Sequence, residues 1–494
     1  LSNRAVVIGT GFGGLAAALR LAARGWRVEV FEALDGPGGR AYTFHQDGFT
    51  FDAGPTIITA PYLLEELWTL FGRRMADDVD LRPIDPFYKI RFDDGTVMSC
   101  HADIAATRAE VERIAPGDVA GFERYLAVSE TIYRTAFAEL ADQPFHRLTT
   151  LVRSVPDLLR LQGWRSVNSL VCDHFDDPRL RIAFGFHPLL IGGNPLTTTA
   201  YYCLIAHLER LHGVHWAVGG TGAIVRAMVA LATERGVRFH FANPVAAITT
   251  SGRRVTGLRL ASGRTVEADV VVSNVDVGST YKHLLAGAKR RRWTDAKLTR
   301  ASYSMSLFVW YFGTRRRFDS VYHHMMVLGP RYEELLRDIF TRKKLAADFS
   351  LYLHRPTAND RSLAPPGCDT FYVLSPVPNL LADIDWLSHA EPYRAAIQKR
   401  LEETVLPGLG AEIVTSRVFT PLDFRDRLAS LNGAAFSLEP KLFQSAWFRP
   451  HNTSEEFDGL YLVGAGTHPG AGVPGVISSA RVLDRLLPKI NDAG

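Results

Sequence analysis

The sequence predicts an α/β fold: a parallel-sheet domain that the chain leaves and re-enters, a second and largely antiparallel sheet domain, and a helical lobe. Three observations predict it. A strand, a glycine loop and an alanine-rich helix open the chain, and a second strand follows at once. Strand-and-helix pieces of the same kind recur around residues 219–245 and 459–486. Between them lie short β-branched and aromatic runs separated by turns, with a helically patterned stretch from about 102 to 212. The first of these makes the parallel-sheet domain Rossmann-type.

Arg4–Ile8 is a β-branched run of buried-strand character, and Leu15–Ala23 is rich in strong helix formers. Between them stands Gly9-Thr10-Gly11-Phe12-Gly13-Gly14, a Gly-x-Gly-x-x-Gly loop. Gly9 allows the tight turn, Gly11 lets backbone approach a pyrophosphate, and Gly14 lets helix and sheet pack closely. The helix start, with Phe12 and Gly13, offers free N–H groups to phosphate. Gly25 ends the helix, Val28–Phe31 resumes as strand, and Glu32 at its tip is placed for ribose hydroxyls. The opening therefore binds a dinucleotide.

Ala33 to Ala41 adds a second glycine pair and an arginine, Gly38-Gly39-Arg40, which a nicotinamide-binding opening does not need. Here the chain resembles the two-dinucleotide-motif flavoproteins, which include amine oxidases and carotenoid desaturases. The resemblance implies FAD, with Gly38, Gly39 and Arg40 along its pyrophosphate and ribityl chain. It also implies that the Phe51–Thr56 segment, through Gly54, Pro55 and Thr56, passes near the flavin ring.

Gly459–Ile477 is similar to the signature of bacterial-type carotenoid desaturases. Leu460–Val463 reads as strand and Val476–Leu486 as a closing helix. Gly464, Gly466, Gly475, Val476 and Ile477 are the implied cofactor contacts. His468, held before Pro469, reads as a backbone-shaping residue and not a base. In the middle, Gly219–Ala223 leads a helix, Val237–Phe241 a strand, and Val245 is implied to meet the adenine through its backbone. Val255–Leu260 and Thr265–Ala268 form a hairpin, and Val270–Asn274 returns to the sheet.

Residues 1–82, 214–288 and 450–494 are thus assigned to the FAD-binding domain, 83–101 and 289–449 to the substrate domain, and 102–213 to the helical lobe. Breaks are expected near Pro83–Pro86, Val214–Gly220 and Pro440–Pro450. Phe87–Phe92 with Thr96–Cys100 reads as a hairpin, and Ser304–Phe312, Phe349–His354, Phe371–Pro376 and Val414–Thr420 as strands.

A net charge of +4 over 494 residues gives no reason to expect nucleic acid. Cys100, Cys172, Cys203 and Cys368 have neither metal nor redox spacing and read as free thiols of a reducing cytoplasm. No apolar run approaches the roughly twenty residues that cross a bilayer, and no signal peptide is seen, although a chain starting at Leu1 is open to trimming. No metal is expected, because the adjacent His323 and His324 would point to opposite faces of a strand.

The substrate half holds no Ser/His/Asp array or carboxylate pair, but has dense apolar strands such as Leu307–Phe312. Such strands wall a tunnel for a hydrocarbon, which offers no hydrogen-bonding handle. Phe186–Pro195 and Gln444–Asn452 also resemble the carotenoid desaturases and separate the chain from amine oxidases. The resemblance implies FAD-dependent desaturation of 15-cis-phytoene through ζ-carotene and neurosporene to lycopene: a hydride leaves an allylic carbon, and a vicinal proton passes to a base or water. Glu439 and Arg449 are the candidate catalytic residues. The implied partners are a C40 carotenoid, a quinone or oxygen as electron acceptor, and the cytoplasmic membrane, touched peripherally from the cytoplasm; self-association stays open.

His146–Val171 supplies a membrane-facing candidate. Leu148, Leu151, Val152, Val155, Leu158 and Leu159 follow helical spacing among Arg147, Arg153, Arg160 and Arg165, with Trp164 near the end. Pro156 is expected to split it into two helices. Lys289–Trp293 and Arg315–Arg317 would add attraction to anionic lipid. The rival readings are a carotenoid isomerase or oxygenase on the same scaffold, an isoprenoid carrier resembling the Rab GDP-dissociation inhibitors, and an amine oxidase.

Overall fold

Five parallel strands form the first sheet, in the spatial order Leu460–Leu462, Val270–Ser273, Arg4–Ile8, Arg27–Phe31 and Arg238–His240. The computed structural model describes residues 3–488, with Leu158 described by its backbone alone. The sheet is covered on both faces, which explains why its central strands Val270–Ser273 and Arg4–Ile8 are nearly continuous apolar runs. Ala5, Val7, Val28 and Val30 pack toward the helices Phe12–Ala23, Thr221–Glu234 and Val473–Leu486. Val6, Ile8 and Phe31 pack the other way, against a three-stranded antiparallel meander of Val245–Ser251, Arg254–Leu260 and Thr265–Glu267. The predicted hairpin is therefore two-thirds of a larger unit.

The second sheet has seven strands, ordered Ile413–Phe419, Ser306–Thr314, Asp369–Val377, Leu351–His354, His324–Val327, Tyr88–Arg91 and Val97–Cys100. All its pairs are antiparallel except Tyr88–Arg91 with His324–Val327. Along Ser306–Thr314 the pleat divides the side chains. Phe308, Trp310 and Phe312 join a core under the helix Trp386–Thr404, while Leu307, Val309 and Tyr311 face the opposite side.

The lobe is helical, from Ile104–Ile114 to Leu204–His212. Two expectations fail locally. Leu148–Arg160 is one helix that runs through Pro156. Proline removes one N–H, and the carbonyl it would have paired, on Val152, belongs to an exposed residue where water can reach it. The stretches expected to be breaks, around Pro83 and Val214, instead pair as an antiparallel ribbon, Leu81–Ile84 with Val214–Ala217. All four cysteines are unpaired. Among the described residues no helix is long and apolar enough to cross a membrane.

Candidate cofactor and substrate site

At the carboxyl ends of the parallel strands the glycine loop has the close approaches that its sequence demands. A Cβ on Gly14 would lie 2.1 Å from the Gly9 carbonyl oxygen, so no other residue lets the helix sit this near the strand. A Cβ on Gly13 would meet Asn274 Oδ1 at 2.6 Å, and one on Gly464 the same atom at 2.8 Å. Asn274 thus knots the first strand's loop to the last strand's loop. The sequence reading passed over it as a strand end, and a lone asparagine there gives no signal.

Glu32 is buried, and its Oε2 accepts from the Thr10 N–H at 2.8 Å and from Thr10 Oγ1 at 2.6 Å. Its Oε1 accepts from the Leu34 N–H at 3.0 Å. Gly38 and Gly39 take positive φ of 120° and 57°, which folds the second loop against Gly11. Arg40 Nε donates to the Ala435 carbonyl at 2.6 Å and Nη2 to Ser430 Oγ at 2.8 Å. Burial lowers the Arg40 pKa, and the charge of Asp276 works against that. A Cβ on Gly54 would fall 2.1 Å from the Arg40 carbonyl, which ties this residue to the same loop.

Three helices begin near this end of the sheet, and their N-termini differ. Phe12–Ala23 and Val473–Leu486 start at Gly11 and Gly472 with no side chain capping them, and both starts line the cavity. The start of Thr221–Glu234 is filled by Asp52, which accepts from the N–H groups of Thr221 and Gly222 at 2.8 and 3.1 Å. Two open helix N-termini, a bare glycine surface and Arg40 suit the pyrophosphate of a dinucleotide.

These residues border a single cavity of about 760 Å³. Gly9, Gly11, Phe12, Gly13, Glu32, Gly38, Gly39, Arg40, Gly54, Pro55, Thr56, Val245, Gly464, Gly475 and Val476 all line it. Gly14, Gly466 and Ile477 do not; Gly466 backs onto Val277 and Ile477 is in the core, so they pack behind the wall. Beyond the glycines the lining becomes apolar: Leu189, Leu307, Val309, Met326, Leu351 and Leu374. Leu151 and Leu161, on the inner side of the helix Leu148–Arg160 and at its end, complete it.

The candidate catalytic residues Glu439 and Arg449 lie outside this lining. Glu439 accepts from Thr197 Oγ1 at 3.2 Å and pairs with Lys441 at 2.9 Å. Arg449 is buried and donates to the carbonyls of Leu438, Gln444 and Ala465, a brace between three loops. His468 does line the cavity, but its Nε2 meets the Leu140 carbonyl at 3.3 Å and its ring rests on Phe145. Burial pushes its pKa down to about 4, which makes it a poor base. A carboxylate that the sequence reading missed, Glu209, is fully buried at the cavity wall and accepts from the Tyr88 hydroxyl at 2.6 Å. His187 stands 3.2 Å away, and Glu209 Oε1 has no partner.

One further expectation is corrected. His323 and His324 do not diverge: the strand begins only at His324, and the two rings are 4.5 Å apart. In the basic runs Arg290, Arg292 and Arg315–Arg317 carry ion pairs. Glu456 takes the backbone N–H groups of Arg291, Arg292 and Trp293, while Asp295 and Glu455 pair with Arg290 and Arg292. Glu412 and Asp319 pair with Arg315, Arg316 and Arg317.

The outer side of Leu148–Arg160 is apolar and uncovered. Leu148, Val152 and Leu159 are 60%, 61% and 58% exposed, and Trp164 just beyond is 61% exposed.

Residues 12–482 match the family described as flavin containing amine oxidoreductase. The phytoene desaturase (neurosporene-forming) of Cereibacter sphaeroides is 49% identical, over 99% of this chain and 95% of that protein. The phytoene desaturase (lycopene-forming) of Pseudescherichia vulneris is 48% identical, over 98% of this chain and 99% of that protein. An oxidoreductase of Methanosarcina mazei shares the fold, with a TM-score of 0.66 at 17% identity, over 98% of this chain and all of that one. The chain is an FAD-dependent oxidoreductase of the flavin containing amine oxidoreductase family, and within it belongs with the bacterial phytoene desaturases.

Proposed function

We propose that the protein desaturates 15-cis-phytoene at the saturated bonds flanking its triene, through ζ-carotene and neurosporene to lycopene. The observation that carries this reading is the continuity of one cavity from the glycine cradle to a wall of leucine, valine and methionine. A hydrocarbon is recognised by shape and apolar contact, and that wall supplies both.

The cofactor would lie with its pyrophosphate at Gly9–Gly13 and the two open helix starts. Its adenosine would lie toward Glu32 and Val245, and its ring toward Gly54, Pro55 and Thr56. When bound, FAD supplies the two-electron oxidation. Gly38, Gly39 and Arg40 hold the linking chain, and Gly475 and Val476 at the open helix start border it. The apolar wall excludes water and aligns the polyene. Unlike Glu439 and Arg449, Glu209 and Asp276 line the cavity, and each has a buried oxygen with no partner that is open to a proton.

The helix Leu148–Arg160 joins two environments, with Leu151 on the cavity and Leu148, Val152 and Leu159 on the outside. That arrangement supports peripheral seating on the cytoplasmic membrane, through which a lipid-dissolved substrate enters, with membrane quinone or oxygen as electron acceptor.

The test is incubation of the flavin-loaded protein with 15-cis-phytoene in liposomes, followed by chromatography and visible spectra. Lycopene is the expected end product. Accumulated neurosporene would shorten the proposed series, and no new long-wavelength band would end the reading.

A further inference from the structure

His323, His324 and His354 are buried together behind the cavity wall, and one ring nitrogen of each lies within 4.8 Å of one on each of the others. Two of them are placed by the sheet itself. His324 and His354 are register partners across adjacent antiparallel strands, so their side chains share a face. His323 lies one residue outside its strand and turns its ring onto the same spot, 4.5 Å from His324 and 4.8 Å from His354.

The hydrogen bonds fix the proton in two of the three rings. His323 Nδ1 is 2.8 Å from Asn359 Oδ1, and His354 Nδ1 is 3.2 Å from the His323 carbonyl oxygen. Both partners only accept, so each Nδ1 carries the proton. His324 Nδ1 is 2.6 Å from the Tyr352 hydroxyl, which in turn is 2.7 Å from Thr56 Oγ1. That chain can run in either direction, and the direction that suits a ligand has the imidazole donating to tyrosine and tyrosine to threonine. Nε2 is a bare lone pair in His323 and His354, and in His324 with that direction of the chain; all three Nε2 atoms are buried without a partner. The Trp216 indole packs on His323 and His354, but its N–H makes no hydrogen bond and so supplies no missing proton.

We propose that the Nε2 atoms of His323, His324 and His354 form a binding site for a divalent first-row cation of the zinc type. Three neutral imidazoles suit zinc and its neighbours better than magnesium or calcium, which prefer oxygen. Asn359, Tyr352 and the His323 carbonyl stand where outer partners of ligating histidines stand, each holding an Nδ1 proton. Ligation at about 2.0–2.1 Å needs the nitrogens to draw together from their present spacing. His323, outside the strand and hydrogen-bonded to the exposed Asn359, is the ligand least tied by the sheet. A bound ion would fix the adjacent inner strands 324–327 and 351–354 to the loop before the first of them. Through Tyr352 and Thr56 it would stiffen the cavity wall.

The experiment uses the full, flavin-loaded chain, stripped with chelator and dialysed against zinc or cobalt. One tightly held equivalent of zinc is expected, and cobalt in its place should give the intense visible bands of a tetrahedral site. His324→Gln and His354→Gln should each lose that equivalent while retaining flavin. Asn359→Ala, at an exposed position that does not threaten folding, should weaken zinc by roughly 10–100-fold. The proposal is overturned if the intact protein retains no zinc. It is equally overturned if the histidine variants keep the same stoichiometry, or if Asn359→Ala binds as tightly as the parent.

Discussion

Asp52 closes the start of the helix at Thr221 with both carboxylate oxygens, 2.8 Å from the Thr221 nitrogen and 3.1 Å from that of Gly222. Burial pushes the Asp52 pKa up to about 6. The two N–H groups and Arg226 hold it down, and Asp360 adds to the rise. The folded state therefore binds more protons than the unfolded chain between about pH 4 and 6, so this group's share of stability falls as pH rises through that window. Above it the cost is about 3 kcal/mol at most. Thermal melts of the protein and of Asp52→Asn should show a stability difference that changes between pH 4.5 and 7 in that direction. A flat difference would refute the assignment.

Glu32→Ala removes the acceptor for both Thr10 donors, and Arg40→Ala removes the bonds to Ala435 and Ser430. Each should lower flavin occupancy, read as the ratio of flavin to protein absorbance. Lost hydrogen bonds to charged groups cost about 1.5–3 kcal/mol, enough for a tenfold weaker hold or more. Unchanged occupancy in either variant would remove that residue from the cofactor's contacts.

Gly14→Ala places a methyl group 2.1 Å from a backbone oxygen that can move only with its strand. Overpacking of this kind costs roughly 1–3 kcal/mol or more, and the melting temperature should drop together with flavin content. Gly117→Ala, with nothing within 4 Å, is the control and should melt within a degree or two of the parent or slightly higher.

Leu148, Val152 and Leu159 changed together to serine should reduce sedimentation with liposomes while leaving melting and flavin content in place, because their side chains already face water. Equal sedimentation would move the membrane contact elsewhere.

What could be read in the sequence was whatever local patterning controls. The strands Arg4–Ile8 and Ser306–Thr314 declared themselves because a sheet covered on both faces needs unbroken apolar runs. Val245–Ser251 did not, since two alanines and two register shifts blur its alternation. Asp52 and Thr221 are 169 residues apart, and no spacing rule links them. The histidine cluster was hidden by a sound rule applied one residue too far: alternation holds inside a strand, and His323 stands just outside one. Glu439 and Arg449 were chosen for their nearness to a motif, but nearness along the chain did not place them on the cavity.

The pleat of Ser306–Thr314 leaves Leu307 and Val309 on the cavity and Phe308, Trp310 and Phe312 in the core beneath. One ribbon thus serves two masters. Its odd positions can be traded for bulkier or slimmer groups, adjusting how far a long guest slides inward, while the even positions keep the scaffold unchanged. Divergence in how many double bonds relatives install could accumulate at such half-sites without any refolding of the whole.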